Sequence, residues 1–138
     1  MFDADRFLFA QQDSYATALA ELNAGCKQSH WMWFVFPQLA GLGRSETARY
    51  YALGNLTAAR QYLHHPVLGA RLRECSAAVL AVEGRTALQI LGFPDNLKLH
   101  SCITLFALVC PGDSVFQQVL EKYFAGERDT GTLALLAE

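Results

Sequence analysis

The sequence predicts an all-α fold, a compact single-domain helical array over residues 1–138 with roughly seven to nine helices around a buried central helix. Three observations predict it. Apolar residues recur at spacings of three and four through most of the chain, the period of a helix with one buried face. Gly and Pro separate the runs, and most runs begin at a Ser, Thr, Asp or Asn able to cap a helix. No segment alternates apolar and polar residues as a half-buried strand would, and residues 31–36 are the one run that could be extended.

Residues 5–23 read as helix with a break near Asp13. Leu8, Gln11, Tyr15, Ala18 and Leu22 form one stripe, which makes Gln11 a half-buried amide that needs a partner from backbone, water or ligand. Gly25 ends the segment. Residues 45–53 form a short helix capped by Ser45 and closed by Gly54-Asn55. Thr57 caps the next, which stops at His64 or His65 before Pro66. Both histidines then sit against the negative end of the helix dipole, and no third ligand stands at metal-site spacing. Pro66 opens a long helix whose seam is Leu68, Leu72, Cys75, Val79 and Val82, with Arg71, Arg73 and Glu74 off the seam and solvated.

Thr86 begins a short helix ending at Leu91, and Gly92-Phe93-Pro94-Asp95 turns the chain. Residues 96–110 form the central helix, because every position from Cys102 to Cys110 except Thr104 is apolar and such a segment must be covered on all sides. Lys98, Ser101 and Thr104, at successive i, i+3 steps, run as a polar strip towards that half. After Pro111-Gly112, Asp113 or Ser114 caps an amphipathic helix with Val115, Phe116, Val119, Leu120, Tyr123 and Phe124 on its core face. Gly126 stops it, and Asp129 or Thr130 caps a last short helix.

A chain of 138 residues with 52% hydrophobic content has ample core without metal or disulfide support. Its net charge of −2 and scattered Lys and Arg remove the electrostatic argument for nucleic acid. Cys26, Cys75, Cys102 and Cys110 show no C-x-x-C pair and read as reduced cysteines, mostly packed in the core. No metal site or cofactor is expected. The N-terminus carries two aspartates where a signal peptide needs positive charge, and no apolar run reaches the length of about 18 residues that spans a membrane. A cytoplasmic location is the default expectation.

The densest stretch is residues 27–45, KQSHWMWFVFPQLAGLGRS, which holds both tryptophans. Lys27, Gln28, Ser29 and His30 supply polar groups. Residues 31–36 are too continuously apolar for one face of a surface helix, so they are buried or line a cavity. Ser29 is placed to cap a helical turn that Phe36 ends, since Pro37 pushes its predecessor out of the α region. Gln38 enters a loop, and Gly41 and Gly43 lie just before the Ser45 cap, where backbone amides are able to face an anion.

The string from Lys27 to Gln38, followed by Gly41-Leu42-Gly43 and Ser45, resembles the signature of a bacterial family catalogued as domain of unknown function 1810. Further parts fit, among them His65-Pro66-Val67-Leu68-Gly69, Asp95 with Lys98 and Ser101, and Lys122-Tyr123-Phe124. The resemblance covers nearly the whole chain. It implies a compact, mainly helical single domain and no established activity, substrate or catalytic residue. Members are often labelled calpastatin, but that inhibitor type is disordered and polar, unlike a chain that is 52% hydrophobic.

The polar groups that helical packing does not explain define an expected pocket for a small anionic or nucleotide-like ligand, with or without hydrolysis. Its walls would be Lys27, Ser29, His30 and Gln38, the glycines Gly41 and Gly43, and Lys98 with Ser101. Trp31, Trp33 or Phe34 would offer a stacking face for a base or nicotinamide-like ring, the two lysines charge, and His30 a general acid or base. Each has a structural alternative: tryptophans are commonly core, a lone histidine commonly ties down a loop, and G-x-G is a weak phosphate signal. A Ser-His-Asp set drawn from Ser101 or Ser29, His30 and Asp95 or Asp129 lacks a nucleophile elbow. The other class of function is a protein-interaction module that uses the aromatic stretch as a docking patch, or a homo-oligomer that hides it. Outward tryptophans would favour docking, and inward ones beside Lys98 would favour a pocket.

Overall fold

A computed structural model of the chain describes residues 2–138 and contains ten helices among them. They are α1 (Ala4–Gln12), α2 (Tyr15–Asn23), α3 (Met32–Val35), α4 (Glu46–Tyr50), α5 (Leu56–His64), α6 (Leu68–Ala81), α7 (Ala87–Leu91), α8 (Asp95–Val109), α9 (Val115–Phe124) and α10 (Thr130–Leu136). The all-α architecture stands, and the count slightly exceeds seven to nine because the chain breaks at Asp13 and because α3 is a separate single turn. The one β feature among the described residues is an isolated parallel bridge between Leu39 and Leu53.

Local chemistry sets most boundaries. Asp3 caps α1, Ser45 α4, Ser114 α9 and Asp129 α10, each side chain accepting a backbone N–H of the first turn. Thr86 and Gln89 form a reciprocal capping box on α7. Two expectations are corrected. Asn55, not Thr57, caps α5, its Oδ1 accepting from the Ala58 amide at 2.9 Å. His65 closes α5 with its backbone N–H, which donates to the Gln61 and Tyr62 carbonyls, but its side chain looks forward: Nδ1 accepts from the Val67 and Leu68 amides at 3.2 Å and so serves the start of α6. Pro66 accordingly precedes the first turn of α6.

The core is organised by two helices. α8 packs against α5, α7, α9 and α10, and α6 against α1, α2, α3, α5 and α9. Residues 101–107 are buried without interruption, as a helix covered all round must be. α5 and α6 approach closely at Gly69, where a Cβ would lie 2.0 Å from the Leu63 carbonyl oxygen. Gln11 is resolved as a structural group. Its amide nitrogen donates to the Phe34 carbonyl at 2.6 Å and the Tyr62 hydroxyl at 3.1 Å, and its oxygen accepts from Arg71. Arg71, expected to be solvated, is half-buried over the Tyr15 ring. Among the described residues no helix is long and apolar enough to cross a membrane.

Candidate functional site

Residues 27–36 are shaped by a carboxylate on a different helix. Glu21 on α2 accepts from the amides of Gln28 (2.8 Å) and Ser29 (3.0 Å), the Ser29 hydroxyl (2.6 Å) and the Trp31 indole N–H (2.9 Å). Burial by itself would raise its carboxyl, but those four hydrogen bonds outweigh it and bring the group down to about 2 from an ordinary 4.5. Ser29 therefore serves this knot rather than capping α3, whose first flanking residue is Trp31. With its N–H partnered, the Trp31 ring is buried to 1% exposure against Phe36.

Lys27 continues the knot. Its backbone N–H donates to the Ile90 carbonyl at 2.7 Å, and its ammonium donates to the Ser29 carbonyl at 2.5 Å and pairs with Asp95 at 3.0 Å. The Lys27 side chain is 8% exposed, so its charge is committed to that pair. Asp95 stands at the start of α8 and also faces Lys98 at 3.8 Å. Lys98, 22% exposed, lies with its ammonium 5.0 Å from the centroid of the Trp33 ring.

Beyond Lys98 lies a cleft of about 290 Å³ between the segment after α3, the start of α8 and the start of α10. Its polar walls are Gln38, Lys98, Ser101 and Asp129, its apolar walls Leu42, Pro94 and Leu97, and Gly43 and Gly131 bring backbone to its surface. A recess of about 10 Å³, room for about one water, shares Gln38 and Lys98 with the cleft and is closed by Trp33, Phe36 and Tyr51. Gly43 is needed where it stands, because a Cβ there would fall 2.4 Å from that of Ala48.

Asp129 completes the cleft. Its Oδ2 accepts from Ser101 Oγ at 3.0 Å, the Thr132 amide at 3.0 Å and Thr132 Oγ1 at 2.6 Å, while its own N–H donates to Thr104 Oγ1 at 2.9 Å. Burial would raise this carboxyl, but the hydrogen bonds from Thr132 and Ser101, with His100 nearby, hold it below the ordinary value. It is thus charged at neutral pH.

Of the sequence candidates, Gln38, Gly43, Lys98 and Ser101 meet around this cleft, and Trp33 adjoins it through the recess. Lys27, Ser29 and Trp31 belong to the Glu21 and Asp95 knot behind it. His30 and Gly41 are exposed and lie outside the lining of both. Asp129 was expected as a helix cap and weighed as the acid of a Ser-His-Asp set, not as a wall of this cleft. The signal for more was the strip of Lys98, Ser101 and Thr104, since a polar strip on a buried helix requires polar groups opposite, and the Asp129 segment supplies them. Glu21 had no local signal, being separated from its partners by seven to ten residues and a turn.

A larger cleft of about 500 Å³ lies between the N-terminal segment, residues 52–55 and the start of α5. Its arginine, Arg6, is occupied by Asp3 at 3.2 Å and by the Tyr50 carbonyl at 2.6 Å. Among the described residues no group of three or more His, Cys, Asp or Glu is placed to hold a metal ion.

Comparison with curated proteins finds no match. The chain is similar to the conserved hypothetical protein Rv1873 from Mycobacterium tuberculosis, known from a crystal structure, at 48% identity and a TM-score of 0.97. The match covers 99% of this chain and 98% of that one, so the helical arrangement described above is shared over its whole length. The family model described as "Protein of unknown function (DUF1810)" matches residues 1–136, and the chain belongs to that family.

Proposed function

We propose that this protein binds a small anionic ligand in the cleft between the segment after α3 and the Lys98 face of α8. The observation that carries the proposal is the setting of Lys98. Its ammonium is partly exposed, held by one carboxylate contact of 3.8 Å, and stands at the junction of both concavities beside the Gln38 amide. A lysine in that state has donors to spare for a phosphate or carboxylate. The inward aromatic stretch supports a pocket over a docking patch: Trp31, Phe34 and Phe36 are buried and Trp33 is half-buried. The Trp33 recess has no room for a stacked ring, so the expected nicotinamide-like or base-stacking platform is not part of the proposal. His30 has no part in it either.

A thermal-shift panel of inorganic phosphate, sugar phosphates, nucleotides and small dicarboxylates tests this. Ligand at about 100 times its dissociation constant stabilises the native state by about 2.7 kcal/mol, several degrees for a domain of this size. Lys98→Ala is expected to remove the shift while leaving unfolding cooperative. A shift that survives Lys98→Ala, or no shift with any anion, would sink the proposal.

A further inference from the structure

We infer that the ligand carries hydroxyl groups beside its anionic group and that Asp129 reads them, which makes the occupant a sugar phosphate rather than a bare anion or a dicarboxylate. The inference rests on the proposal that Lys98 holds the anionic group.

The two oxygens of Asp129 are in different situations. Oδ2 takes three hydrogen bonds, from Ser101 and from the amide and hydroxyl of Thr132, while Oδ1 accepts none from the described residues. Oδ2 therefore fixes the plane of the carboxylate, and Oδ1 is left as an acceptor on a residue that lines the cleft. An ionised carboxylate only accepts, and a lysine ammonium only donates. A ligand that satisfies this wall must bring acceptors to Lys98 and donors to Asp129. A dicarboxylate brings acceptors alone, and inorganic phosphate has no donor apart from the P–OH of its own anionic group, so either would set its charge against Asp129.

An amino-acid zwitterion would satisfy both charges, yet a cleft of about 290 Å³ suits a larger body. That volume lies near the lower end of the ~300–1,000 Å³ usual for ligand sites. It fits a phosphorylated pentose or hexose better than a dinucleotide. Leu42, Pro94 and Leu97 give the C–H faces of such a ring an apolar wall.

Asp129→Asn provides the test, because Asn caps a helix as well as Asp does. Its carbonyl oxygen replaces Oδ2 for Ser101 and Thr132, and its amide turns the Oδ1 acceptor into a donor. Calorimetric titration would compare ribose 5-phosphate, glucose 6-phosphate, inorganic phosphate and serine on the full chain. The wild type is expected to bind at least one sugar phosphate about ten- to a hundredfold more tightly than inorganic phosphate, the range for a charged hydrogen bond. Asp129→Asn should bring that ratio close to one without weakening inorganic phosphate or changing cooperative unfolding. Equal affinity for phosphate and both sugar phosphates, a ratio unchanged in Asp129→Asn, or tighter binding of serine would each overturn the inference while leaving a Lys98-dependent phosphate site standing. If none of the phosphates binds, or if binding is indifferent to Lys98→Ala, the anion site itself is refuted and this inference with it.

Discussion

Glu21 governs the shape of the densest part of the chain, and its substitution separates charge from hydrogen bonding. Glu21→Gln keeps an oxygen for the Gln28 and Ser29 amides and the Trp31 indole, and places its amide against the Ser29 hydroxyl, which is able to accept. What it removes is the negative charge. The interval between about 2 and the ordinary 4.5 corresponds to about 3 kcal/mol of preference for the ionised form in the fold. Glu21 is partly exposed, and solvent screening brings the expected contribution down to about 1–2 kcal/mol. Because the folded value is depressed, this stabilisation is complete above about pH 4.5 and is lost as pH falls towards about 2. Thermal unfolding between pH 3 and 7 should therefore show Glu21→Gln melting about 3–8 °C below wild type at pH 7, with the gap closing as the pH drops. Glu21→Ala should cost about 2–4 kcal/mol and keep much of its deficit in acid, since the buried Trp31 N–H is left without a partner. A wild type and Glu21→Gln that differ equally at pH 7 and pH 3 would refute the assignment of that stabilisation to the carboxylate charge.

Two further substitutions test the packing. Phe116→Ala removes a fully buried ring that meets Phe106 at a centroid distance of 5.7 Å, and should cost about 3–5 kcal/mol in denaturant unfolding. Gly69→Ala should cost about 3 kcal/mol or more, because its methyl would strike the Leu63 carbonyl and push α5 from α6. Gly54→Ala, whose Cβ would meet nothing within 4 Å, is the matched control and should stay within about 0.5 kcal/mol of wild type.

The parts of this fold that were legible are those whose causes lie close together in the chain. Ser45, Thr86, Ser114 and Asp129 cap helices through groups three residues away, and the all-round burial of α8 follows from an unbroken apolar run. Lys98 and Ser101 stood out as a polar strip running into an apolar helix and Gln38 as an amide after an apolar run, and they do meet at one cleft. What remained hidden depends on partners distant in sequence. Ser29 has the look of a cap until Glu21 claims its hydroxyl, and Lys27 has the look of a free cation until Asp95 takes it. Arg71 falls off the apolar seam of α6, and only the arrival of Tyr15 and Gln11 shows why it is not solvated. Gly69 carried no turn signal, since it is required by the closeness of a neighbouring helix rather than by its own backbone. Asp129 was visible as a cap, whereas its second role in the cleft wall needed the position of α8.

Gln11 ties the ends of this organisation together. Its amide reaches across 23 residues to α3, 51 to α5 and 60 to α6, and it is buried to 1% exposure. None of those partners is near it until all four elements are in place. A collapsed chain with any one of them misplaced would keep a primary amide in apolar surroundings with hydrogen bonds unmade, at a cost of about 1–3 kcal/mol. Arrangements that bury the same apolar area in another order are therefore penalised, while the native one is not. In a chain of short helices rich in alanine and leucine, whose faces are otherwise poorly distinguished from one another, that penalty singles out one assembly from its competitors.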